Sequence, residues 1–227
     1  MTAKPIRALL FDLDGTIADT GELHYRATIE TLEEFGAKVD RATYDRIIHG
    51  ATNADIVDHF FPDSGRARDH YADAKERRFR ASVNGLKPLP GLTDLLHWAA
   101  QRKIATAVVT NAPAANTDRI LAALSLTEHF DAIILGDDLP RGKPDPLPYL
   151  MAVETLGVDS TEAVGFEDSA PGVRSVAGAG VFAVGILSGL SEATLVGEGA
   201  RMVIADFRDG RLMEYLRGRD PFSPNRP

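Results

Sequence analysis

Cysteine is absent from the 227 residues of this sequence. A disulfide framework, a thiolate metal site and a cysteine nucleophile are therefore excluded. No apolar run approaches the roughly 20 residues that a membrane-spanning helix needs, and the first five residues lack the pattern of a secretory signal. We expect a cytoplasmic protein that does not enter a membrane.

Clusters of positive charge are also missing. Asp and Glu together number 33 against 25 Lys and Arg, which gives a formal net charge of −8, and the basic residues do not gather into one run. Because nucleic acids bind basic patches, we expect no nucleic-acid partner. The apolar fraction of 44% is sufficient for a packed core.

Short apolar runs alternate with helical patterns over most of the chain. Strands that are apolar throughout and alternate with helices are typical of a parallel β-sheet covered on both faces. We therefore predict an α/β fold with a doubly wound, Rossmann-like parallel sheet. The predicted strands are the runs 6–11, 104–109, 132–135, 163–166, 181–186 and 202–204.

An insert of about 60 residues interrupts this alternation. It contains no convincing strand pattern, and its helical patterns lie at 23–35, 42–48, 53–60 and 64–80. We predict a helical domain over residues 18–86, inserted into a core formed by residues 1–17 and 87–227. Since the insert leaves the core just after the first strand, we interpret it as a lid over the end of that strand, with a simple packing appendage as the alternative.

Two carboxylates, Asp12 and Asp14, follow the first predicted strand. Side chains at i and i+2 of a strand point the same way, and this end of the strand is where open α/β sheets bind ligands. Two like charges about 4 Å apart repel by roughly 4 kcal/mol at an effective dielectric constant of about 20. A cation between the acids, or a proton on one of them, would relieve the repulsion, and either arrangement indicates a chemical site.

Polar residues also follow three other predicted strands. Any one of them, taken singly, suits a turn, a helix start or a solvated side chain. Because the carboxyl ends of parallel strands lie at one edge of a sheet, we expect all of them to form one site with the first two acids. They are Thr110 and Asn111 after the second strand, Lys143 after the third, and Glu167 and Asp168 after the fourth.

These motifs resemble those of the haloacid dehalogenase-like phosphohydrolase superfamily, over nearly the whole chain. Residues 12–16 resemble the first signature motif, Thr110 the second, Lys143 the third, and Glu167 with Asp168 the fourth. The insert resembles the cap of the branch that contains phosphoglycolate phosphatase and β-phosphoglucomutase. The resemblance implies a Mg²⁺-dependent phosphatase that acts on a small phosphorylated metabolite, either a phosphosugar or a phosphoglycolate-like compound.

The resemblance also implies catalytic and metal-binding roles. Asp12 would be the nucleophile that forms an aspartyl phosphate, and Asp14 would be the general acid and base. Mg²⁺ would be held by the carboxylates of Asp12 and Asp168 and by the backbone carbonyl of Asp14. Glu167 would be a direct or a water-mediated ligand, and the resemblance does not choose between these two.

Substrate contacts are implied in the core and in the insert. Those in the core would hold the phosphoryl oxygens. Those in the insert would touch the leaving group, although a surface histidine and a helix-breaking glycine are the structural alternatives for two of them. The contacts are Thr110, the backbone N–H of Asn111 and Lys143 in the core, and His24, Gly50 and Asn53 in the insert.

The main alternative to a phosphatase is a mutase similar to β-phosphoglucomutase. This chain and β-phosphoglucomutase share Thr20 and His24. Asn53 of this chain, however, takes the place of a cap arginine of the mutase. Ala112 and Pro113 stand where the mutase has a serine–lysine pair. Because these departures remove two positive charges from the region that would hold a second phosphate, we predict hydrolysis. A non-catalytic phosphate-binding protein is a third possibility, and we expect a monomer or a homodimer.

Overall fold

The computed structural model of the protein describes residues 4–48 and 51–220. Gly50, one of the expected substrate contacts, lies outside the described residues. The chain divides into a larger unit, made of the residues up to Asp19 and from Leu86 onward, and a smaller unit, Thr20–Gly85. Nowhere in the described ranges does a helix have both the length and the apolar character needed to cross a bilayer.

The larger unit contains a six-stranded parallel sheet with the strand order β3-β2-β1-β4-β5-β6. This order belongs to the doubly wound α/β folds, so the predicted fold class is confirmed. Each of the six predicted apolar runs overlaps one strand. The strands are β1 (Ala8–Phe11), β2 (Ala105–Thr110), β3 (Ala132–Leu135), β4 (Ala163–Glu167), β5 (Phe182–Ile186) and β6 (Met202–Ile204).

Both faces of the central strands are buried, which explains why their sequences are apolar throughout. On one face, Phe11 stacks on Phe166 with ring centroids 4.8 Å apart, and both rings contact Phe207. On the other face, Leu10 packs in a cluster with Tyr149. The helices of this unit are α5 (Leu92–Gln101), α6 (Ala114–Leu124), α7 (Leu147–Thr155), α8 (Ala170–Gly178), α9 (Glu192–Gly197) and α10 (Gly210–Gly218).

The described residues of the smaller unit are helical and form no strand. A compact apolar core that includes Leu32, Ile56 and Tyr71 holds the helices together. All four predicted helical patterns coincide with helices, while the role of this unit as a lid stays a prediction. The elements are α1 (Gly21–Glu34), α2 (Arg41–Thr43) with a π-helical turn at Tyr44–Ile48, α3 (Asn53–Phe60) and α4 (Gly65–Ser82).

A partly buried ion pair joins the residue that follows α5 to the residues after α10. The Nε of Arg102 donates to Oδ2 of Asp220 at 2.6 Å, and the Asp220 side chain is only 6% exposed. The guanidinium also lies over the ring of Trp98, 4.8 Å from its centroid. This contact fixes the position of the last described residue against the larger unit.

Asp220→Asn should lower the free energy of unfolding by about 1–2 kcal/mol, because a charge-assisted hydrogen bond in a largely buried place is lost. Urea unfolding followed by the fluorescence of Trp98, the only tryptophan of the chain, measures this change. The control is Glu198→Gln, which breaks the ion pair with Arg174, whose side chain is 53% exposed. We expect the control to lose less than about 0.5 kcal/mol; equal losses would contradict the assignment.

Candidate active site

The sheet register brings the predicted residues to one edge. β1 lies between β2 and β4, and Phe11 at its end pairs with Val108 on one side and Phe166 on the other. Asp12 therefore leaves β1 beside the last residue of β4, which is Glu167. The backbone N–H of Asp12 donates to the carbonyl of Phe166 at 3.0 Å, which extends the pairing by one residue.

Lys143 lies at the centre of this edge. Its ammonium donates to Oδ1 of Asp12 at 2.6 Å, to Oε1 of Glu167 at 2.5 Å and to the carbonyl of Val109 at 2.6 Å. The side chain is 4% exposed, and these three acceptors use all three ammonium hydrogens. Burial lowers the pKa of Lys143, but the two carboxylates outweigh burial and raise this pKa above its usual value. Lys143 is therefore a permanent positive charge in the site.

Glu167 is enclosed by hydrogen-bond donors. Its Oε1 also accepts from the hydroxyl of Tyr149 at 3.0 Å, and its Oε2 accepts from the hydroxyl of Ser169 at 3.1 Å and from the Ser169 N–H at 3.4 Å. With Lys143, four donors meet the roughly four lone-pair positions of one carboxylate. Neither neutral partner was predicted from the motifs. Ser169 is visible in the sequence as a helix cap, whereas Tyr149 sits among apolar residues of α7 and carries no local signal.

Three carboxylates gather beside this lysine. Asp12, Glu167 and Asp168 each bring one oxygen within 4.8 Å of the others. Burial, followed by the charge of Glu167, raises the pKa of Asp12 well above its usual value, although Lys143 opposes the shift. Burial and Glu167 also raise the pKa of Asp168 to about 7, against the hydrogen bond from Ser188. The ionised acids therefore repel one another, as expected for carboxylates that share one site.

The donor set of this cluster suits a hard divalent cation. When all three carboxylates are ionised, they and the one ammonium leave two negative charges uncompensated. Mg²⁺ prefers oxygen ligands and would restore neutrality. Asp14 lies half-buried in the turn after β1, and its charge contributes to the raised pKa of Asp168. A Cβ on Gly15 would meet Oδ2 of Asp168 at 2.0 Å, so only glycine lets this carboxylate approach the turn.

Thr110 and Asn111 lie at the end of β2, close to Lys143. Thr110 is buried, and its hydroxyl oxygen accepts from the N–H of Ala112 at 3.0 Å. The side chain of Asn111 forms hydrogen bonds with both backbone groups of Lys143. The family resemblance implies a role for Asn111 through its backbone N–H only, and these side-chain contacts were not predicted.

Two predicted residues of the smaller unit belong to one polar cluster. His24 stacks on Phe79 with centroids 3.9 Å apart, and its Nδ1 lies 3.3 Å from Nζ of Lys75. Oε1 of Glu76 accepts from Nζ of Lys75 at 2.8 Å and from Nδ2 of Asn53 at 2.9 Å. Neither Lys75 nor Glu76 stands out in the sequence, because both lie in a helix rich in charged residues.

Comparisons with known proteins match the part of the chain that contains these motifs. A family model described as haloacid dehalogenase-like hydrolase matches residues 9–186. The chain is 29% identical to the phosphorylated carbohydrates phosphatase of Thermotoga maritima, over 78% of this chain and 82% of that protein. It is 30% identical to the beta-phosphoglucomutase of Bacillus subtilis, over 81% and 84%. The crystal structure of CbbY from Rhodobacter sphaeroides in complex with xylulose-(1,5)bisphosphate is similar with a TM-score of 0.77 and 30% identity, covering 90% of this chain and 96% of that chain.

Mg²⁺ should raise the Tm of the protein, and more so near pH 7.5 than near pH 5. The pKa of Asp168 is raised to about 7 in the folded chain, against about 4 when unfolded. The folded state then holds a proton that the unfolded state has released, so the metal-free protein loses stability as the pH rises from about 4 to about 7. A cation needs the ionised carboxylates and therefore binds better at the higher pH. Thermal unfolding with and without excess MgCl₂ measures both effects.

Asp168→Asn should abolish the Mg²⁺-induced rise in Tm because it removes one of the clustered carboxylates. Asp118→Asn, on the exposed side of α6, is the matched control and should retain the full rise. An unchanged rise in the Asp168 variant would mean that the ion binds elsewhere.

Proposed function

Because the chain belongs to the haloacid dehalogenase-like hydrolase family, we propose that it is a Mg²⁺-dependent phosphatase that hydrolyses a small phosphorylated metabolite. The family match confirms the resemblance that the motifs predicted. The contact of the Lys143 ammonium with Asp12 and Glu167 is the observation that carries the proposal, since it unites three of the four motifs. A buried carboxylate held by a buried ammonium beside further acids suits attack on phosphorus.

Asp12 is the proposed nucleophile. One oxygen of its carboxylate attacks the phosphorus of the substrate, the bond from phosphorus to the leaving oxygen breaks, and an aspartyl phosphate forms. Asp14 donates its proton to the leaving oxygen. A water molecule then attacks the phosphorus and gives a proton to Asp14. Inorganic phosphate is released, and the carboxylate of Asp12 is restored.

The remaining charged residues balance the phosphoryl group. Mg²⁺, held by the carboxylates of Asp12 and Asp168 and by the backbone carbonyl of Asp14, would neutralise part of the charge on the phosphoryl oxygens. Lys143 adds a fixed positive charge. The carboxylate oxygens of Glu167 accept hydrogen bonds from Lys143 and from three other donors. We therefore assign Glu167 to holding this lysine and not to direct metal ligation.

The end of β2 supplies neutral donors for the phosphoryl oxygens. The hydroxyl oxygen of Thr110 accepts from Ala112, which leaves the hydroxyl hydrogen directed elsewhere and able to donate to a phosphoryl oxygen. The backbone N–H of Asn111 is the second proposed donor. Donors placed on a strand end keep their direction during the reaction, so they stabilise developing negative charge without reorganisation.

The smaller unit is proposed to select the leaving group. Its cluster of His24, Asn53, Lys75 and Glu76 offers an imidazole, an amide, an ammonium and a carboxylate, which can donate to and accept from the hydroxyl groups of a sugar or a small acid. The role of Gly50 stays a prediction from the sequence, as do the cytoplasmic location and the monomeric or dimeric state.

A phosphosugar mutase is the second candidate, because a beta-phosphoglucomutase is among the relatives. A mutase must also hold a second phosphate. Asn53 stands where the mutase has an arginine, and its amide is bonded to the carboxylate of Glu76. The amide carries no positive charge with which to bind a second dianion. This substitution supports hydrolysis over phosphoryl transfer within a sugar.

Asp12→Asn should reduce Mg²⁺-dependent release of phosphate from p-nitrophenyl phosphate by about a thousandfold or more, because the amide is not a nucleophile. The fold should be unchanged by circular dichroism, since the two side chains have the same shape. Asp118→Asn should be fully active, and EDTA should inactivate the unaltered enzyme. Appreciable turnover by the Asp12 variant would reject this residue as nucleophile.

If the protein is a hydrolase, the products that it forms from a sugar phosphate can also be predicted. Glucose 1-phosphate or fructose 1-phosphate should yield free sugar and inorganic phosphate in equal amounts, with no sugar 6-phosphate, as followed by ³¹P NMR. Conversion of the 1-phosphate into the 6-phosphate without release of phosphate would favour the mutase. An inert protein, tested against a panel of phosphosugars and phospho-acids, would favour the non-catalytic phosphate-binding alternative.

A further inference from the structure

We infer that the side chain of Asn111 is a positioning residue that holds Lys143 in its catalytic place, an inference that rests on the proposed phosphatase function. The Lys143 N–H donates to Oδ1 of Asn111 at 3.1 Å, and Nδ2 of Asn111 donates to the Lys143 carbonyl at 3.2 Å. One amide thus satisfies both backbone groups of one residue that lies 32 positions further along the chain.

Two glycines make room for this amide. A Cβ on Gly136 would lie 2.2 Å from Oδ1 of Asn111, and a Cβ on Gly142 would lie 2.9 Å from the same atom. Neither distance is compatible with a side chain at the glycine unless the amide moves. The Asn111 side chain is therefore seated between two backbone segments, although part of it faces solvent.

The end of β2 consequently holds Lys143 at both ends of its side chain. The carbonyl of Val109 accepts from the ammonium at 2.6 Å, while Asn111, two residues later, holds the backbone. Because Val109 holds the ammonium of Lys143 and Asn111 holds its backbone, the ammonium is directed to Oδ1 of Asp12. Aspartate would lack the N–H donor for the Lys143 carbonyl, and alanine would lack both bonds, so only an amide of this length meets both groups.

A misplaced lysine should slow the reaction more than it weakens substrate binding. Displacement of a catalytic group by about 1 Å can cost about 100-fold in rate. Asn111→Ala should therefore lower kcat by about 10- to 100-fold. KM should change by less than about threefold, because the displaced Lys143 ammonium stabilises the transition state more than the bound substrate.

Gly136→Ala provides an independent test that leaves Asn111 itself in place. Its methyl group should push the amide away from Lys143 and lower kcat to a similar extent. In the double variant Asn111→Ala/Gly136→Ala the amide is gone, and the methyl group then lies 3.4 Å from the backbone Cα of residue 111, which is an ordinary van der Waals contact. We expect the double variant to have the kcat of Asn111→Ala within about twofold, whereas independent effects would multiply.

Ser175→Ala is the matched control for a general loss of stability in the loop that contains Lys143. The Ser175 hydroxyl donates to the carbonyl of Asp145 at 2.5 Å, two residues beyond Lys143, and does not contact the lysine. This variant should lower Tm but keep kcat within about twofold of the unaltered enzyme. A loss of kcat as large as that of Asn111→Ala would mean that loop stability alone is responsible.

Hydrogen exchange at the Lys143 amide gives a readout that does not need turnover. Asn111→Ala and Gly136→Ala should both speed this exchange, and by more than Ser175→Ala does. Normal kcat in Asn111→Ala, multiplying losses in the double variant, or unchanged exchange would each overturn the inference. If the unaltered protein hydrolyses no substrate at all, the proposed function fails, and the exchange rates then decide the positioning contact separately.

Discussion

The site depends on the buried ammonium ion of Lys143. A buried charge is costly unless acceptors surround it, and here the acceptors come from three neighbouring strands: Val109 within β2, Asp12 just after β1, and Glu167 at the end of β4. The central place of β1 in the parallel sheet makes this arrangement possible, because it brings the three strand ends to one level. The stability of the ion cluster and the geometry of the proposed reaction thus have the same origin.

The balance of charge connects this cluster to the chemistry. Asp12, Glu167 and Asp168 outnumber the single lysine, and burial together with mutual repulsion raises the pKa values of Asp12 and Asp168. A phosphate ester would be repelled by the same acids, so a divalent cation would serve both the protein and the substrate. The family of hydrolases to which the chain belongs provides the reaction that uses this arrangement. Glu167 is set apart from the other two acids because its oxygens are engaged by protein donors.

Local patterns were sufficient to predict much of the fold and to predict that the main candidate residues lie at one edge of the sheet. Apolar runs predicted all six strands, and the rule that parallel strands end at one edge predicted that Asp12 would meet Lys143, 131 residues away. The same reasoning missed Tyr149, because a tyrosine among apolar residues of a helix is read as packing. It also left the role of Glu167 open, because the residue type of an acid does not reveal whether its partner is a lysine or a metal.

By itself, the sequence determined the order of strands and helices, the helical insert and the types of polar residue at each strand end, since periodicity and side-chain chemistry are properties of short segments. Only the tertiary structure decided the partners of those residues: the Asn111 side chain on the Lys143 backbone, and Glu167 on Lys143 and Tyr149. A hydrogen bond forms or fails within a few tenths of an ångström. Such distances between remote segments are set by strand register and helix packing, which no local pattern encodes.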